Sequence, residues 1–260
     1  VSLSLNGSED GTLGIYEVAT GRELGDRIPR VTYPTGGGSV AWNADASGLY
    51  YTRYPQPGER PAEDQHFYQQ VYFHQLGTPT ADDVYVIGAD FPRIAEVELQ
   101  TSDDGQFLLV QVANGDGGEF AHFLRGPEGE WTQVTQFADG VKQAHFAADS
   151  LLLLAFRDTP NGALLRVPLA APVLAEAETL VPESETAIVG VTPAATRIYL
   201  TEMAGGTSAV RVIGSNGGDQ GRLPLAPISA VGQVLALDGD TILYRSNTFV
   251  APPPWYRFDP

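Results

Sequence analysis

Residues 102–124 read SDDGQFLLVQVANGDGGEFAHFL. The stretch contains two apolar runs separated by a glycine-rich acidic bend, and an Asp-Asp-Gly turn leads into the first run. Asp and Asn side chains in such bends hydrogen-bond to the nearby backbone, and Gly accepts a positive φ. Two alternating apolar runs joined by a bend of this kind are typical of an antiparallel hairpin. The stretch therefore predicts two neighbouring β-strands.

The same arrangement recurs along the chain. Apolar runs that follow an acidic or Gly/Pro turn begin at Leu49, Phe107, Leu151, Ile198 and Ile242. The successive separations are 58, 44, 47 and 44 residues, and self-similarity at about 40–50 residues is typical of propeller blades. The first step is the longest because residues 55–69, with three prolines and several charges, interrupt its unit. We expect this insertion to be a surface excursion rather than extra core.

Each repeated unit contains four candidate strands. One run precedes the turn, as in IAEVEL (94–99), the hairpin follows, and a last run comes after another turn, as in GPEGEWTQVTQF (126–137). Residues 1–28 and 234–260 each hold three such runs. The sequence therefore predicts an all-β fold, a β-propeller of four-stranded antiparallel blades with about five to six blades present. A sandwich of repeated hairpins is the structural alternative.

Residues 1–260 are predicted to be one propeller domain, because the repeat runs through the whole chain. Nineteen prolines spread along it argue against long helices, since proline removes a backbone donor. We expect a partial blade, four complete blades and a last partial blade. Their predicted limits are, in chain order, 1–30, 31–92, 93–138, 139–183, 184–226 and 227–260.

Composition and charge limit the function. The chain has 260 residues, 43% of them hydrophobic, which is enough for a sizeable core. It carries 32 Asp and Glu against 15 Lys and Arg, a formal net charge of −17. Such a surface repels phosphate backbones and anionic lipids, so we expect no nucleic-acid and no membrane partner. The absence of cysteine excludes disulfides, thiolate metal sites and a cysteine nucleophile.

Residues 40–78, VAWNADASGLYYTRYPQPGERPAEDQHFYQQVYFHQLGT, resemble the third propeller blade of the prolyl oligopeptidase family of serine peptidases. The shared marks are a Trp before an acidic turn, the YYTRYP strand, a polar insertion, and QQVYFHQLGT leading into ADDVYVI. ELQTSDDGQFLLVQV (98–112), LVPES (180–184) and SNTFVAPPPWYRFDP (246–260) follow in the order of the family's later blades. The resemblance covers nearly the whole chain and is most specific in residues 40–87.

The resemblance implies a non-catalytic role. In that family a seven-bladed propeller caps an α/β-hydrolase domain that carries the catalytic Ser, Asp and His, and the propeller admits short peptides and excludes folded proteins. The chain then corresponds to the propeller without its first blade, without the leading strand of the second, and without the hydrolase domain. Its implied partners are the α/β-hydrolase domain of a parent serine-type prolyl oligopeptidase and short proline-containing peptides. The expected compartment is the cytoplasm, with the periplasm as the alternative.

A free-standing binding propeller is the alternative function. Such a module would hold a partner on one face and would need no hydrolase domain. The chain has no Gly-His and Trp-Asp pair at the blade period, so the WD40 type of binding propeller is not indicated.

The sequence contains no catalytic signature of its own. The nucleophile of an α/β-hydrolase needs Gly-x-Ser-x-Gly, and the closest stretches, GGGSVAW (36–42) and GSNGG (214–218), do not have it. We therefore predict no catalytic, cofactor-binding or metal-binding residue in this chain. In the family, the start of the third blade and the hairpin of the fourth reach toward the substrate. The matching stretches here, 35–39 and 112–118, carry small residues, so no substrate contact is carried over.

The histidines and the acidic pairs have structural interpretations. The four histidines, which lack the spacing of a zinc site, are His66, His74, His122 and His145. His74 and His122 lie in apolar runs, so we expect strand residues with hydrogen-bonded rings. Asp82–Asp83 and Asp103–Asp104 are interpreted as turn residues rather than paired catalytic carboxylates. The acidic turns at 8–11 and 114–118 are too short for a calcium loop.

The three tryptophans are expected to pack between blades. They are Trp42, Trp131 and Trp255, and ligand stacking in a central channel is the alternative. The last of them lies in APPPWYRF (251–258), which has the composition of a proline-rich SH3 ligand. A rigid segment that enters a strand is favoured, because proline tolerates the start of a strand.

Overall fold

A computed structural model describes residues 1–8, 10–32, 37–226, 228–250 and 252–260. Its strands form six separate antiparallel sheets, and its helical segments in these ranges are three-residue 3-10 turns. None of these helical segments is long and apolar enough to cross a membrane. The chain divides into two compact units, Val1–Ala138 and Asp139–Pro260. The predicted all-β fold is confirmed.

The first unit contains three sheets whose strands pair in chain order. The first sheet is formed by β1 (Ser2–Ser4), β2 (Gly11–Tyr16) and β3 (Glu23–Thr32). The second is formed by β4 (Val40–Trp42), β5 (Gly48–Arg53), β6 (Gln70–Gln75) and β7 (Val84–Ile87). The third is formed by β8 (Ala95–Thr101), β9 (Leu108–Asn114), β10 (Phe120–Arg125) and β11 (Trp131–Thr135). β3 crosses the expected limit at residue 30, because its ladder with β2 continues to the pair Gly11 and Thr32.

The second unit contains three further sheets with the same order of pairing. The fourth sheet is formed by β12 (Val141–Ala147), β13 (Ser150–Ala155), β14 (Ala163–Pro168) and β15 (Glu178–Val181). The fifth is formed by β16 (Ala187–Pro193), β17 (Arg197–Ala204), β18 (Thr207–Gly214) and β19 (Asp219–Arg222). The sixth is formed by β20 (Ala230–Ala236), β21 (Ile242–Asn247) and β22 (Trp255–Phe258).

The hairpin at residues 102–124 forms as its sequence predicts. Strands β9 and β10 pair from Ala113 with Phe120 to Leu108 with Arg125. A 3-10 turn and Gly118, whose φ is 73°, reverse the chain between them. Only glycine adopts this left-handed backbone without strain. The alternation of apolar residues and the glycine-rich bend therefore define both the strands and their register.

Each apolar core described within a unit is shared by two successive sheets. Pairs that belong to the same cluster are Leu13 with Leu49, Val71 with Val110, Leu152 with Ile188, and Val212 with Ile242. All six residues of β13 are buried, and because successive side chains point to opposite faces, both faces of this strand are covered. Burying one such aliphatic side chain stabilises the fold by about 1.5–3 kcal/mol. A sheet in these units thus obtains its core from its neighbour.

Turns also join successive sheets. In the second unit, Asp240 of the turn before β21 accepts hydrogen bonds from the amides of Thr196 (2.7 Å) and Arg197 (3.1 Å) before β17. The Thr196 hydroxyl donates to its other carboxylate oxygen at 2.6 Å. Partial burial acts to raise the pKa of Asp240, but these hydrogen bonds outweigh it and lower the pKa. The carboxylate form therefore holds the fifth and sixth sheets together at this turn.

In the first unit, Gly105 brings two turns into direct contact. Its φ is 65°, and a Cβ atom there would lie 2.3 Å from Cα of Ala44, in the turn between β4 and β5. Backbone at that distance cannot move aside as the end of a flexible side chain can. Gly58, in the insertion, also has a positive φ, 91°, but a Cβ atom there would meet open space.

Gly105→Ala should destabilise the first unit more than Gly58→Ala. A left-handed backbone costs an alanine about 1–2 kcal/mol, and only Gly105→Ala adds a clash with backbone, so we expect a total loss of roughly 3 kcal/mol or more. Urea unfolding of both variants, followed by circular dichroism, measures the difference. Equal losses would show that the contact with Ala44 imposes no constraint.

Candidate functional site

His74 is buried between two carboxylates in the first unit. Its ring is 1% exposed, with Nδ1 2.6 Å from Oδ1 of Asp83 and Nε2 3.2 Å from Oδ1 of Asp26. The Tyr51 hydroxyl donates to the other oxygen of Asp83 at 2.6 Å, and the amide of Gly77 donates to Asp26. The predicted hydrogen-bonded ring is confirmed, and the direct contacts leave no space for a metal ion between these groups.

His122 has the same kind of structural role in the third sheet. The ring is fully buried, with Nδ1 2.6 Å from Oγ1 of Thr135 and Nε2 2.9 Å from Oε1 of Gln111. The three residues lie on β10, β11 and β9, so the ring connects three strands. This prediction is also confirmed. A ring without contact to solvent cannot exchange protons with a substrate that arrives from solution.

The acidic pairs have turn positions, with one exception. Oδ1 of Asp104 accepts hydrogen bonds from the Ser102 hydroxyl (2.6 Å) and from the amide of Gln106 (3.0 Å), and these lower the pKa of Asp104. Asp82 lies in a 3-10 turn. The side chain of Asp83 is instead buried against His74, so its interpretation as a simple turn residue was incomplete.

The tryptophans only partly follow the prediction of core packing. Trp131 packs against the core shared by the second and third sheets. Trp42 and Trp255 are 43% and 47% exposed, so the prediction is wrong for them. All three tryptophans lie on edge strands, β4, β11 and β22, and only Trp131 packs on a core shared with a neighbouring sheet. The proline-rich stretch 252–254 is exposed and leads into β22, as predicted for a strand entry; residue 251 lies outside the described residues.

One cleft brings together stretches that the sequence singled out. It has a volume of about 210 Å³ and is called here the His66 cleft. Its lining residues are Tyr54, His66, Phe67, Arg93, Ile94, Ala95, Glu96, Gly115 and Asp116. They come from the end of β5, the insertion, the start of β8 and the turn after β9. These segments meet because the start of one strand and the end of its antiparallel neighbour lie at the same end of a sheet.

The stretches expected to correspond to substrate-facing positions lie in different surroundings. Gly115 and Asp116, from stretch 112–118, line the His66 cleft. Of stretch 35–39, residues 35 and 36 lie outside the described residues. The Gly37 carbonyl accepts a hydrogen bond from Nε2 of Gln69, and Oγ of Ser39 accepts one from the amide of Leu99. The described part of that stretch is therefore hydrogen-bonded to β8 and to Gln69 at the end of the insertion.

The lining of the His66 cleft contains two carboxylates, Glu96 and Asp116, and one guanidinium, Arg93. Glu96 is half-buried; burial raises its pKa, and the charges of Asp116 and Glu98 raise it further. Arg93, the cation in the lining, forms an ion pair of 2.8 Å with Asp64 in the insertion. The charge of Arg93 is thereby neutralised by a carboxylate of the insertion. Sequence reasoning did not find this cleft, because Phe67, Arg93 and Asp116 lie far apart in the chain and no motif connects them.

Comparison with known proteins gives the family. The family model described as "Prolyl oligopeptidase, N-terminal beta-propeller domain" matches residues 1–260. The chain belongs to this family. The resemblance found in residues 40–87 is thereby confirmed, and the fold is the β-propeller that the repeat predicts.

Curated relatives of this prolyl oligopeptidase propeller are prolyl peptidases. The chain is 29% identical over 178 residues to the prolyl endopeptidase of Elizabethkingia meningoseptica, an alignment that covers 66% of this chain and 24% of that protein. It is 26% identical over 109 residues to prolyl oligopeptidase A of Galerina marginata, covering 37% of this chain and 15% of that protein. The chain thus matches about a quarter of the first relative's length.

Solved structures of this family share the fold. A structure from a study of two prolyl endopeptidases and inter-domain dynamics has a TM-score of 0.88 at 22% identity and covers 98% of this chain and 38% of that chain. Prolyl oligopeptidase B of Galerina marginata, without ligand, has a TM-score of 0.81 at 16% identity, with 99% and 38% covered. Oligopeptidase B of Trypanosoma brucei has a TM-score of 0.74 at 18% identity, with 98% and 36% covered.

His145 of this propeller domain should make its stability depend on pH. The ring lies on β12, and burial lowers the pKa of His145 from 6.5 to about 4. The folded state therefore binds the proton less readily than the unfolded state. The neutral ring of His145 therefore makes its full contribution to the free energy of unfolding above pH 6.5, and this contribution is lost as the pH falls toward 4.

Comparison with His145→Gln isolates this effect. The variant removes the titrating ring and retains a polar side chain, so the difference in unfolding free energy between the two proteins should change by roughly 3 kcal/mol between pH 7 and pH 4. Urea titrations at four pH values measure it. A difference that stays constant over this range would contradict the assignment.

Proposed function

We propose that this chain is the non-catalytic propeller domain of a prolyl oligopeptidase-like serine peptidase. In this role it controls the access of short proline-containing peptides to a hydrolase active site carried elsewhere in the full-length protein. The observation that carries the proposal is the match of the propeller family model to residues 1–260, while the chain covers only 24% and 38% of the peptidases it resembles in sequence and structure. The rest of such a peptidase is available to carry the active site.

The chemistry of the described residues supports a non-catalytic role. His74 and His122 are 1% and 0% exposed, and their hydrogen-bond partners fix the rings in place. The Gly-x-Ser-x-Gly elbow that an α/β-hydrolase requires does not occur in the sequence. These two imidazoles are thus committed to hydrogen bonds that hold neighbouring segments together.

The physical properties of the sheets support control of access by size. Strands within each sheet are joined by antiparallel ladders, several of which contain a β-bulge, and successive sheets in a unit share a close-packed core. Close-packed interiors deform little, so the walls that such sheets form keep their dimensions. The His66 cleft, at about 210 Å³, is below the usual size of a whole ligand site and fits one or two peptide side chains.

The proposed partners follow from the same role. They are the α/β-hydrolase domain of the same parent protein and short peptides that pass to it. The net charge of −17 disfavours nucleic acid as a partner. The proposed compartment is the cytoplasm, with the periplasm as the alternative.

The purified chain should neither cleave peptides nor react with a serine-hydrolase probe. Without a hydrolase nucleophile, we expect turnover of a fluorogenic Gly-Pro substrate at the buffer rate and no labelling by a fluorophosphonate. The full-length parent, purified in parallel, should do both. Stoichiometric labelling of the 260-residue chain would overturn the proposal. A parent without a labelled serine would favour a free-standing binding propeller instead.

A further inference from the structure

The insertion, residues 55–69, is held in place by arginines. Arg53 forms two hydrogen bonds with the carboxylate of Glu59, at 2.7 and 3.0 Å. Arg30 donates to the carbonyl of Gln65. The Arg60 guanidinium lies 3.7 Å from the centre of the Tyr68 ring. The insertion was correctly predicted to lie at the surface, but these contacts make it an ordered wall rather than a loose loop.

Arg93 makes the contacts that fix the end of the insertion next to the His66 cleft. Its Nε donates to Oδ1 of Asp64 at 2.8 Å, and its Nη2 donates to the carbonyl of Glu63 at 3.1 Å. Its guanidinium lies 3.6 Å from the centre of the Phe67 ring. Its own carbonyl accepts a hydrogen bond from the amide of Tyr68 at 2.9 Å. One residue thus binds the insertion before, at and after Phe67.

These contacts determine the width of the His66 cleft between the insertion and the third sheet. Phe67 and His66 line it from the insertion, Glu96 lines it from β8, and Asp116 lines it from the turn after β9. The segments from β8 and β9 belong to one sheet and keep a constant separation. The insertion has no place in a sheet, so beyond the backbone hydrogen bond between Tyr68 and Arg93 the position of the Phe67 ring depends on side-chain contacts.

We propose that Arg93 is a positioning residue that fixes Phe67 as a wall of the His66 cleft and thereby limits the size of the groups that enter it. Where the cleft serves the access control proposed above, Arg93 is a determinant of peptide size, and that part rests on the proposed function. The positioning itself does not depend on a peptidase activity.

The contacts suit positioning better than global stability. The Arg93 side chain is 43% exposed, and exposed ion pairs contribute little to the free energy of unfolding. The planar guanidinium can donate to two oxygens and lie over a ring at the same time, whereas a lysine ammonium cannot. Lysine at this position should therefore retain the attraction to Asp64 and lose part of the orientation of Phe67.

A single cysteine provides a direct test, because the chain has none of its own. Glu96→Cys places a thiol in the lining of the cleft without changing the insertion. Its reaction rates with a small and a bulky methanethiosulfonate reagent give a ratio that reports the width of the cleft. The ratio is measured for Glu96→Cys alone and for three double variants. In these, Glu96→Cys is combined with Arg93→Gln, with Arg93→Lys or, as the control, with Arg166→Gln. Arg166 forms a 2.6 Å ion pair with Glu178 in the other unit.

The expected results separate positioning from loss of structure. Arg93→Gln should raise the bulky-to-small rate ratio by about fivefold, the effect of losing one local interaction of ordinary strength. Arg93→Lys should give an intermediate ratio, and Arg166→Gln should leave it unchanged. Urea midpoints should be similar in all variants. Equal ratios in Arg93→Gln and the background, or an equal rise in the Arg166→Gln control, would overturn the assignment.

A second measurement separates this inference from the proposed function. In the full-length parent, Arg93→Gln should raise kcat/KM for longer proline peptides relative to a dipeptide substrate, with kcat for the dipeptide unchanged. A changed thiol ratio with an unchanged length preference would retain the positioning role and reject peptide size control by this cleft. A parent without peptidase activity would reject the proposed function and leave the thiol ratio to decide the role of Arg93.

Discussion

The structure depends on the sharing of apolar cores between successive sheets. A sheet of three or four short strands has two faces and too few side chains to cover both. In the second unit β17 of the fifth sheet contributes Leu200 to the core shared with the fourth sheet, and Tyr199 to the core shared with the sixth. Neighbouring positions on a strand point to opposite faces, so one sheet serves two cores. The apolar runs, which are nearly continuous in β13, follow from burial on both faces.

This constraint explains what the sequence could reveal. Repeated turns followed by apolar runs predicted the strands, their pairing and the sheets, because hairpins are local and their turn residues are specific. The family resemblance, strongest in residues 40–87, agreed with the family model over the whole chain. The exposure of Trp42 and Trp255 was missed. Trp131 also lies on an edge strand but packs on a shared core, and apolar character alone does not tell which face of an edge strand a neighbouring sheet covers.

The candidate site was less predictable, for a physical reason. The contact of Asp26 with His74 joins residues that are 48 positions apart, and the contact of Arg93 with Asp64 joins residues 29 apart. Such pairs depend on how sheets and insertions meet in space, which no local pattern records. One acidic pair, Asp103–Asp104, belongs to a turn, as predicted. Asp83, from the other pair, is a buried partner of histidine, so acidic pairs with similar sequences have different roles.

The buried ring of His122 has a consequence for folding accuracy. A shift of β10 by one residue against β9 or β11 would turn the imidazole to the opposite face and leave Gln111 and Thr135 without their partner. Unpaired polar groups in a dry interior are costly, so this triad penalises a slipped ladder far more than an apolar residue could. β13, with its uniform SLLLLA sequence, has no comparable marker inside the strand. The correct register of β13 therefore depends on the turns at its ends. Mispaired ladders during folding should form at β13 rather than at β10.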